Sequence, residues 1–213
     1  MTLTSNQVNP VNPGKVIWSG ENPGIYLKDA SGAWQSLSVY FRVVTSPFGP
    51  GTGVVVLGAP QVASGWPGTS NLCLSTNQAL MRWLVSDFVS RFASFRDAPG
   101  LRSMAYLPAT SCQTSGDGQT FHEEALQGDQ LSVVLRWENL SEPFAVDVPP
   151  AMSATGEHQM YSVFVEAQSG SIKINGIALP GQVIERDFLG RRLNTAFLAF
   201  CESWIAPVLP VLP

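Results

Sequence analysis

Short β-prone segments separated by turn-forming residues run along most of the chain, and this feature restricts the fold most strongly. Gly, Asn, Asp and Ser recur in the intervening turns, as in SGDGQ, QGDQ, QSGS and NGIALPG. Many short strands with such frequent turns are typical of antiparallel barrels and sandwiches. The alternation of strands and helices that a parallel sheet requires is missing from this pattern. The sequence therefore predicts a mainly β fold, an antiparallel β-barrel or a β-sandwich.

The segment WQSLSVYFRVV carries the clearest alternation in the chain. Its apolar face would hold Leu37, Val39, Phe41 and Val43. Its opposite face would hold Ser36, Ser38, Tyr40 and Arg42. Because side chains on a strand point alternately to its two faces, we interpret this segment as a half-buried strand.

One long amphipathic helix is predicted at about residues 75–96. Apolar side chains recur there every three or four positions, at Met81, Leu84, Val85, Phe88, Phe92 and Phe95. Ser75 is the predicted N-cap, and Gln78 follows it at the spacing of a capping box. The sequence DAPG would end the helix. We expect such a helix to pack across a sheet face or to close the mouth of a barrel.

The segment RRLNTAFLAFCESWIA fits either a helix or a strand. Leu193, Phe197, Phe200 and Trp204 have helical spacing, but the run is too apolar for periodicity to decide. We favour a strand, because Gly190 could form a hairpin turn that pairs this run with GQVIERDF.

Aromatic residues are abundant and charged residues are scarce in this chain of 213 residues. Only 13% of the residues are charged, whereas soluble domains average about 25%. This balance favours a subunit interface or an apolar cavity, so we expect an apolar small-molecule ligand and allow for a homo-oligomer. We predict a flexible arm (residues 1–14), one β-rich domain (15–206) and a Pro-rich apolar tail (207–213).

Charge and cysteine content exclude several classes of partner. The net charge is −4 and the basic residues are scattered, which argues against binding to nucleic acids or to anionic membranes. No apolar run is long enough for a transmembrane helix, and the N-terminal residues do not resemble a secretory signal. Three cysteines without a C-x-x-C motif fit a reducing compartment, so we predict a cytoplasmic protein.

A short element near the N-terminus resembles lipocalins. Gly32, Ala33 and Trp34 are similar to the Gly-x-Trp element of that family. The resemblance implies a calycin-like barrel, although the long helix in the middle of the chain departs from the lipocalin pattern.

Strong catalytic motifs are absent from the sequence, but one weak metal-binding pattern is present. His122 and Glu124 would share one face of a strand, and His158 follows later in the chain. Two histidines and one carboxylate form the facial triad of non-haem iron sites. We keep this H-x-E…H site as an alternative and otherwise predict no metal and no cofactor.

Polar side chains alternate along three predicted strands, and we derive the main site hypothesis from them. The predicted catalytic residues are His158, Glu166, Arg136, His122 and Glu124. The predicted substrate-binding residues are Met160, Ser162, Phe164 and Glu138. If these faces line a barrel lumen, they could bind a ligand; if they face water, they form an ordinary solvated surface. The sequence leaves this choice open.

The chemistry of these residue types favours proton transfer. A histidine moves protons near neutral pH, an arginine binds carboxylates or enolates, and a buried carboxyl becomes a usable acid. We therefore expect a cofactor-independent lyase or isomerase acting on an apolar small molecule. The alternatives are a non-catalytic binding or oligomeric structural protein and the metal-dependent enzyme. The charged run VIERDFLGRR could form a salt-bridged hairpin end or place Arg186 or Asp187 at a pocket mouth.

Overall fold

A closed β-barrel forms the centre of the part of the chain that the computed structural model describes, residues 14–207. Apart from Gly14 and Pro207, the predicted arm and tail lie outside this part. The strands are β1 (Gly14–Glu21), β2 (Gly24–Lys28), β3 (Trp34–Thr45), β4 (Gly51–Leu57), β5 (Asn71–Ser75), β6 (Ala105–Gly116), β7 (Phe121–Gly128), β8 (Leu131–Leu140), β9 (Phe144–Val148), β10 (Gln159–Ile174), β11 (Ile177–Ala178), β12 (Glu185–Phe188), β13 (Arg191–Asn194) and β14 (Ala196–Pro207). The helices are α1 (Gln78–Asp87) and α2 (Pro99–Ser103), and short 3₁₀ helices span Val89–Arg91 and Pro150–Met152.

Nine strands close the barrel, which confirms the predicted mainly β fold. They follow the order β14, β2, β3, β4, β5, β6, β7, β8 and β10, and β10 pairs with β14 to complete the ring. β1 and β2 share the position between β3 and β14. β9 pairs with the first half of β10, and β8 pairs with its second half.

One pair of neighbouring strands departs from the predicted antiparallel arrangement. β5 and β6 are parallel. Parallel neighbours need a long crossover connection, and the helical segment between these two strands provides it. The chain therefore contains one strand–helix–strand crossover that the turn pattern did not reveal.

The predicted helix exists but is shorter than residues 75–96. Ser75 ends β5, and Asn77 is the N-cap instead, accepting a hydrogen bond from the Leu80 backbone N–H at 3.1 Å. The α-helix ends at Asp87 and tightens into the 3₁₀ helix Val89–Arg91. Within this 3₁₀ helix, the Ser90 hydroxyl donates to the Ser86 carbonyl at 2.6 Å. Such a local side-chain bond competes with helical hydrogen bonding.

Glycines in β4 let the helix lie close to the barrel. A Cβ atom on Gly53 would fall 2.8 Å from Met81 Sδ, and one on Gly51 would fall 2.7 Å from Asn77 Cβ. Both distances are shorter than van der Waals contact allows. The two glycines therefore set the distance at which α1 packs on the sheet.

Two hydrophobic clusters lie on opposite sides of the barrel wall. The inner cluster fills the barrel and contains Trp137, whose indole N–H donates to the Gly24 carbonyl at 2.9 Å. The outer cluster packs α1 and its neighbours against the outside of β2, β3, β4, β10 and β14. Both faces of β3 are therefore buried, so the prediction of a half-buried strand is wrong: Ser36 and Ser38 point into the barrel.

The ambiguous C-terminal segment is a strand, as we favoured. β12 and β13 form a hairpin outside the barrel, in which Arg186 pairs with Leu193. β14 follows directly and pairs with β1, β2 and β10. The hairpin is thus attached directly to β14, and it folds over the outer face of the barrel.

Candidate functional site

A cavity of about 370 Å³ lies on the outer face of the barrel, and we call it the outer cavity. Its floor comes from β2, β10 and β14. Its walls come from residues 91–96 after α1, from residues 148–154 before β10, and from the β12–β13 hairpin. The volume falls within the range of roughly 300–1,000 Å³ that is usual for small-molecule sites.

Six aromatic side chains contribute to the lining of the outer cavity. The rings at its surface belong to Tyr26, Phe92, Phe164, Phe188, Phe197 and Trp204. Phe164 stacks between Phe188 and Phe197, with 5.2 Å between ring centres on both sides. Tyr26 meets Phe197 edge-on at 5.6 Å. These contacts between rings hold the cavity walls in a defined arrangement.

Glu202 is a buried carboxyl group at the floor of the outer cavity. Glu202 is the only Asp, Glu, Lys or Arg residue in β14. Only 4% of its surface is exposed. Burial raises its pKa from 4.5 to about 8, although hydrogen bonds from Trp204 and Ser162 work in the opposite direction. Trp204 Nε1 donates to Glu202 Oε1 at 2.7 Å. At neutral pH the group is therefore a neutral carboxylic acid that still carries its proton.

Arg186 supplies a desolvated cation to the wall of the same cavity. Its guanidinium carbon lies 5.1 Å from the ring centre of Phe197, 5.2 Å from that of Phe188 and 5.4 Å from that of Tyr26. Burial lowers the pKa of Arg186. Within residues 14–207, its Nε has no hydrogen-bond partner and no carboxylate forms a salt bridge with it. The rings stabilise the charge through cation–π contacts, but they do not neutralise it.

Asn22 places a second donor without a partner at the outer cavity. Its backbone N–H donates to the Ala199 carbonyl at 2.9 Å, which fixes the residue beside β14. Its side chain is 3% exposed, and Nδ2 has no partner within the described part of the chain. A buried donor left without a partner costs about 1–3 kcal/mol. A ligand with an acceptor group would remove that cost.

Similarity to known proteins does not assign this chain to a family. The chain matches no protein-family model, no curated protein and no solved structure. None of the helices formed by residues 14–207 is long and apolar enough to span a membrane. Function must therefore be inferred from the outer cavity and from the positions of the predicted site residues.

His122 and Glu124 lie inside the barrel, away from the outer cavity. The Glu124 carboxylate accepts hydrogen bonds from His122 Nε2 at 2.9 Å, from Arg42 at 2.8 Å and from Thr114 at 2.9 Å. β3 and β7 are not neighbours in the ring, so the Arg42–Glu124 contact crosses the barrel interior. Burial alone would raise the pKa of Glu124, but His122 and Arg42 lower it below its usual value. The group is thus fully engaged in holding the barrel together.

Arg136 and Glu138 lie on the outer surface of β8. Arg136 Nε donates to Glu138 at 2.8 Å, and the same guanidinium pairs with Glu123 at 3.2 Å and lies over the Phe121 ring. Neither predicted residue lines the outer cavity. For β8, the mixed polar face is therefore the solvated one, and the apolar face points into the barrel.

His158 lies just before β10 and Glu166 lies near its middle, and neither lines the outer cavity. His158 Nδ1 contacts the Thr155 hydroxyl at 3.1 Å, its ring lies 5.6 Å from Phe88, and burial lowers its pKa. Glu166 accepts the Asn194 backbone N–H at 2.6 Å. The five predicted catalytic residues are thus distributed over four separate places.

The predicted metal ligands are not assembled either. His122 lies inside the barrel, whereas His158 packs against Phe88 outside it. Among residues 14–207, no group of three or more His, Cys, Asp or Glu side chains could hold a metal ion. The H-x-E…H pattern therefore does not produce a shared site.

Part of the predicted substrate-binding face does line the outer cavity. Met160 and Phe164 contribute to its floor, and Ser162 is buried behind them, where its hydroxyl donates to the Phe200 carbonyl at 3.2 Å. The face of β10 that carries Met160 and Phe164 thus points neither into the barrel lumen nor into bulk solvent. It points outward and is covered by other segments, which enclose the cavity.

Sequence reasoning missed Glu202 and Asn22 and treated Arg186 as one of two readings. A signal for Glu202 was present, because it is a lone carboxyl in the strongly apolar run AFLAFCESWIA. Charged residues are almost never fully buried unless they are paired or functional. Asn22 and Arg186 come from distant parts of the chain, and only the fold brings them to one cavity.

Proposed function

We propose that this protein binds an apolar small molecule in the outer cavity. One observation supports this proposal most strongly: the lining of a cavity of about 370 Å³ combines six aromatic side chains with the polar groups of Asn22, Arg186 and Glu202. Ligand sites typically combine such an apolar lining with a small number of polar anchors.

The construction of the cavity also suits ligand entry. Its floor consists of barrel strands, which are held by hydrogen bonds along both edges. Its walls consist of connecting segments and of a hairpin outside the barrel. At the rim, Met152 and Leu189 are 63% and 42% exposed. An apolar rim on segments outside the main sheet gives a path that a ligand could follow to a rigid floor.

Binding can be tested with N-phenyl-1-naphthylamine, a neutral probe that fluoresces in apolar surroundings. We expect saturable binding of one probe per chain. Ala154 lines the cavity and is partly buried, so Ala154→Phe should fill the space and weaken binding at least about tenfold, equivalent to about 1.4 kcal/mol.

The matched control is Ala145→Phe, the same substitution at an exposed position of β9 outside the cavity. It should leave probe binding unchanged. Equal probe binding by both variants and the unsubstituted protein would place the probe elsewhere and contradict the proposal.

Proton transfer on the bound molecule is the second candidate function. Glu202 supports it, because a carboxylic acid with a pKa of about 8 can donate a proton at neutral pH. The acid of the predicted enzyme would then be Glu202 instead of the five residues predicted from sequence. The test is deuterium incorporation into bound unsaturated ligands in D₂O, which Glu202→Gln should abolish without abolishing ligand binding.

A further inference from the structure

We infer that the outer cavity selects an apolar molecule that carries one carboxylate, bound at Arg186 with Asn22 as a further donor. This inference rests on the proposed binding function and specifies its ligand. It follows from the charges around the cavity, from the donors that lack partners, and from the shape of the apolar lining.

Arg186 is the one arginine among residues 14–207 that is not exposed and yet forms no salt bridge. The others either are exposed, as Arg82, Arg96, Arg102 and Arg191 are, or have a carboxylate partner, namely Arg42 with Glu21 and Glu124, Arg91 with Glu157, Arg136 with Glu123 and Glu138, and Arg192 with Glu185. Arg186 is more enclosed than the Arg192 of the same hairpin, yet it has no such partner within residues 14–207. A desolvated cation without a counter-ion is unfavourable, so an anionic ligand group would gain a strong contact there.

The planar guanidinium favours a carboxylate in particular. It presents its donors in a fork that matches two carboxylate oxygens. The rings of Phe188, Phe197 and Tyr26 lie within 5.4 Å of the guanidinium carbon and restrict its movement before a ligand arrives. Asn22 Nδ2 offers one more donor at the same cavity.

The remaining charges favour a single negative charge on the ligand. Glu202 is neutral at physiological pH because burial raises its pKa, and so it does not repel an anion. Asp187 also lines the cavity, and its carboxylate would oppose a doubly charged group such as a phosphate monoester. Arg91 is already paired with Glu157 at 3.2 Å. Arg96 also lines the cavity, but it is exposed to water and donates to the Arg91 carbonyl at 3.1 Å. One carboxylate therefore matches the site better than a phosphate.

The experiment compares three amphiphiles of equal chain length, all below their micellar concentrations. Decanoate, decan-1-ol and decyl phosphate each displace N-phenyl-1-naphthylamine from the unsubstituted protein, from Arg186→Gln and from Arg192→Gln. Arg192 is the matched control, because it lies exposed on the partner strand of the same hairpin. Circular dichroism confirms that each variant is folded.

We expect decanoate to bind at least about tenfold more tightly than decan-1-ol and than decyl phosphate, since its single carboxylate gains charge-assisted hydrogen bonds to Arg186. Arg186→Gln should remove this preference and leave decan-1-ol affinity nearly unchanged, whereas Arg192→Gln should retain it. Equal affinities in the unsubstituted protein, or tighter decyl phosphate binding, would overturn the carboxylate inference while the binding function stands. Failure of both the neutral probe and all three amphiphiles to bind would overturn the binding function itself.

Discussion

Replacing Glu202 by Gln should stabilise this protein increasingly as the pH rises from 5 to 8. The folded state holds the Glu202 proton up to a pKa of about 8, whereas the reference value is 4.5. Below pH 4.5 both states are protonated and the group has no effect on folding. Between these values the folded state binds more protons than the unfolded state, so the free energy of unfolding falls as the pH rises. Above about pH 8 the loss levels off.

The magnitude follows from the two pKa values. One pKa unit corresponds to about 1.4 kcal/mol, so retaining the proton costs the folded state about 1 kcal/mol at pH 5, about 3 at pH 7 and about 4 at pH 8. The Gln amide has no proton to lose in this range, and its oxygen can still accept the hydrogen bond from Trp204 Nε1. The advantage of Glu202→Gln should therefore grow by about 2 kcal/mol between pH 5 and pH 7.

Urea unfolding followed by tryptophan fluorescence measures this difference at pH 5, 6, 7 and 8. The other titrating groups are common to both proteins, so they cancel when the two free energies are subtracted. A constant offset from burying the extra amide N–H₂ group also leaves the slope unaffected.

Glu142→Gln is the control, since Glu142 is exposed and has no role at the cavity. Its difference from the unsubstituted protein should not grow with pH. If the advantage of Glu202→Gln stays constant from pH 5 to pH 8, Glu202 is ionised in the folded state and the account of the cavity floor is wrong.

Three further predictions concern other contacts. Glu124→Gln should lower the free energy of unfolding by about 2–4 kcal/mol, because it leaves the partly exposed Arg42 charge without its buried partner. Urea unfolding at pH 7 measures this change, and an unchanged midpoint would show that the contacts of Glu124 contribute little. Decanoate affinity, measured by probe displacement, should fall above about pH 8 as Glu202 ionises, and Glu202→Gln should show no such fall. Gly53→Ala should lower the thermal midpoint, because its Cβ would meet Met81 at 2.8 Å and overpacking costs about 1–3 kcal/mol.

Much of the barrel could be predicted from the sequence because local signals agreed there. The turn-rich punctuation predicted many short strands, and Gly190 predicted the hairpin that joins β12 to β13. The helix was also predicted, but its length was not. Phe92 and Phe95 continue the helical spacing of apolar residues although the α-helix has already ended. Both are apolar because they pack in or against the outer cluster.

The direction in which each strand face points could not be predicted. A period of two groups the side chains of a strand correctly, yet it does not say which group enters the barrel. On β3 the polar group with Ser38 and Tyr40 points inward, whereas on β8 the polar group with Arg136 points outward. Both arrangements are stable because α1 and its neighbours cover only one side of the barrel, where an apolar outer face is also buried.

The candidate site escaped prediction for a related reason, since the search began from histidines and from polar alternation. The polar residues that alternate along the strands mostly have structural contacts in the barrel. Glu124, for example, already has three hydrogen-bond partners inside the barrel. Glu202 and Arg186 instead interrupt apolar or aromatic surroundings: burial keeps Glu202 neutral, and Arg186 has no carboxylate partner within residues 14–207. A charge that the fold leaves uncompensated has a free-energy cost that a ligand can relieve, whereas a charge that the fold pairs does not. In a chain this poor in charge, a lone ionisable residue in an apolar strand is therefore a better guide to the binding site than a regular polar stripe.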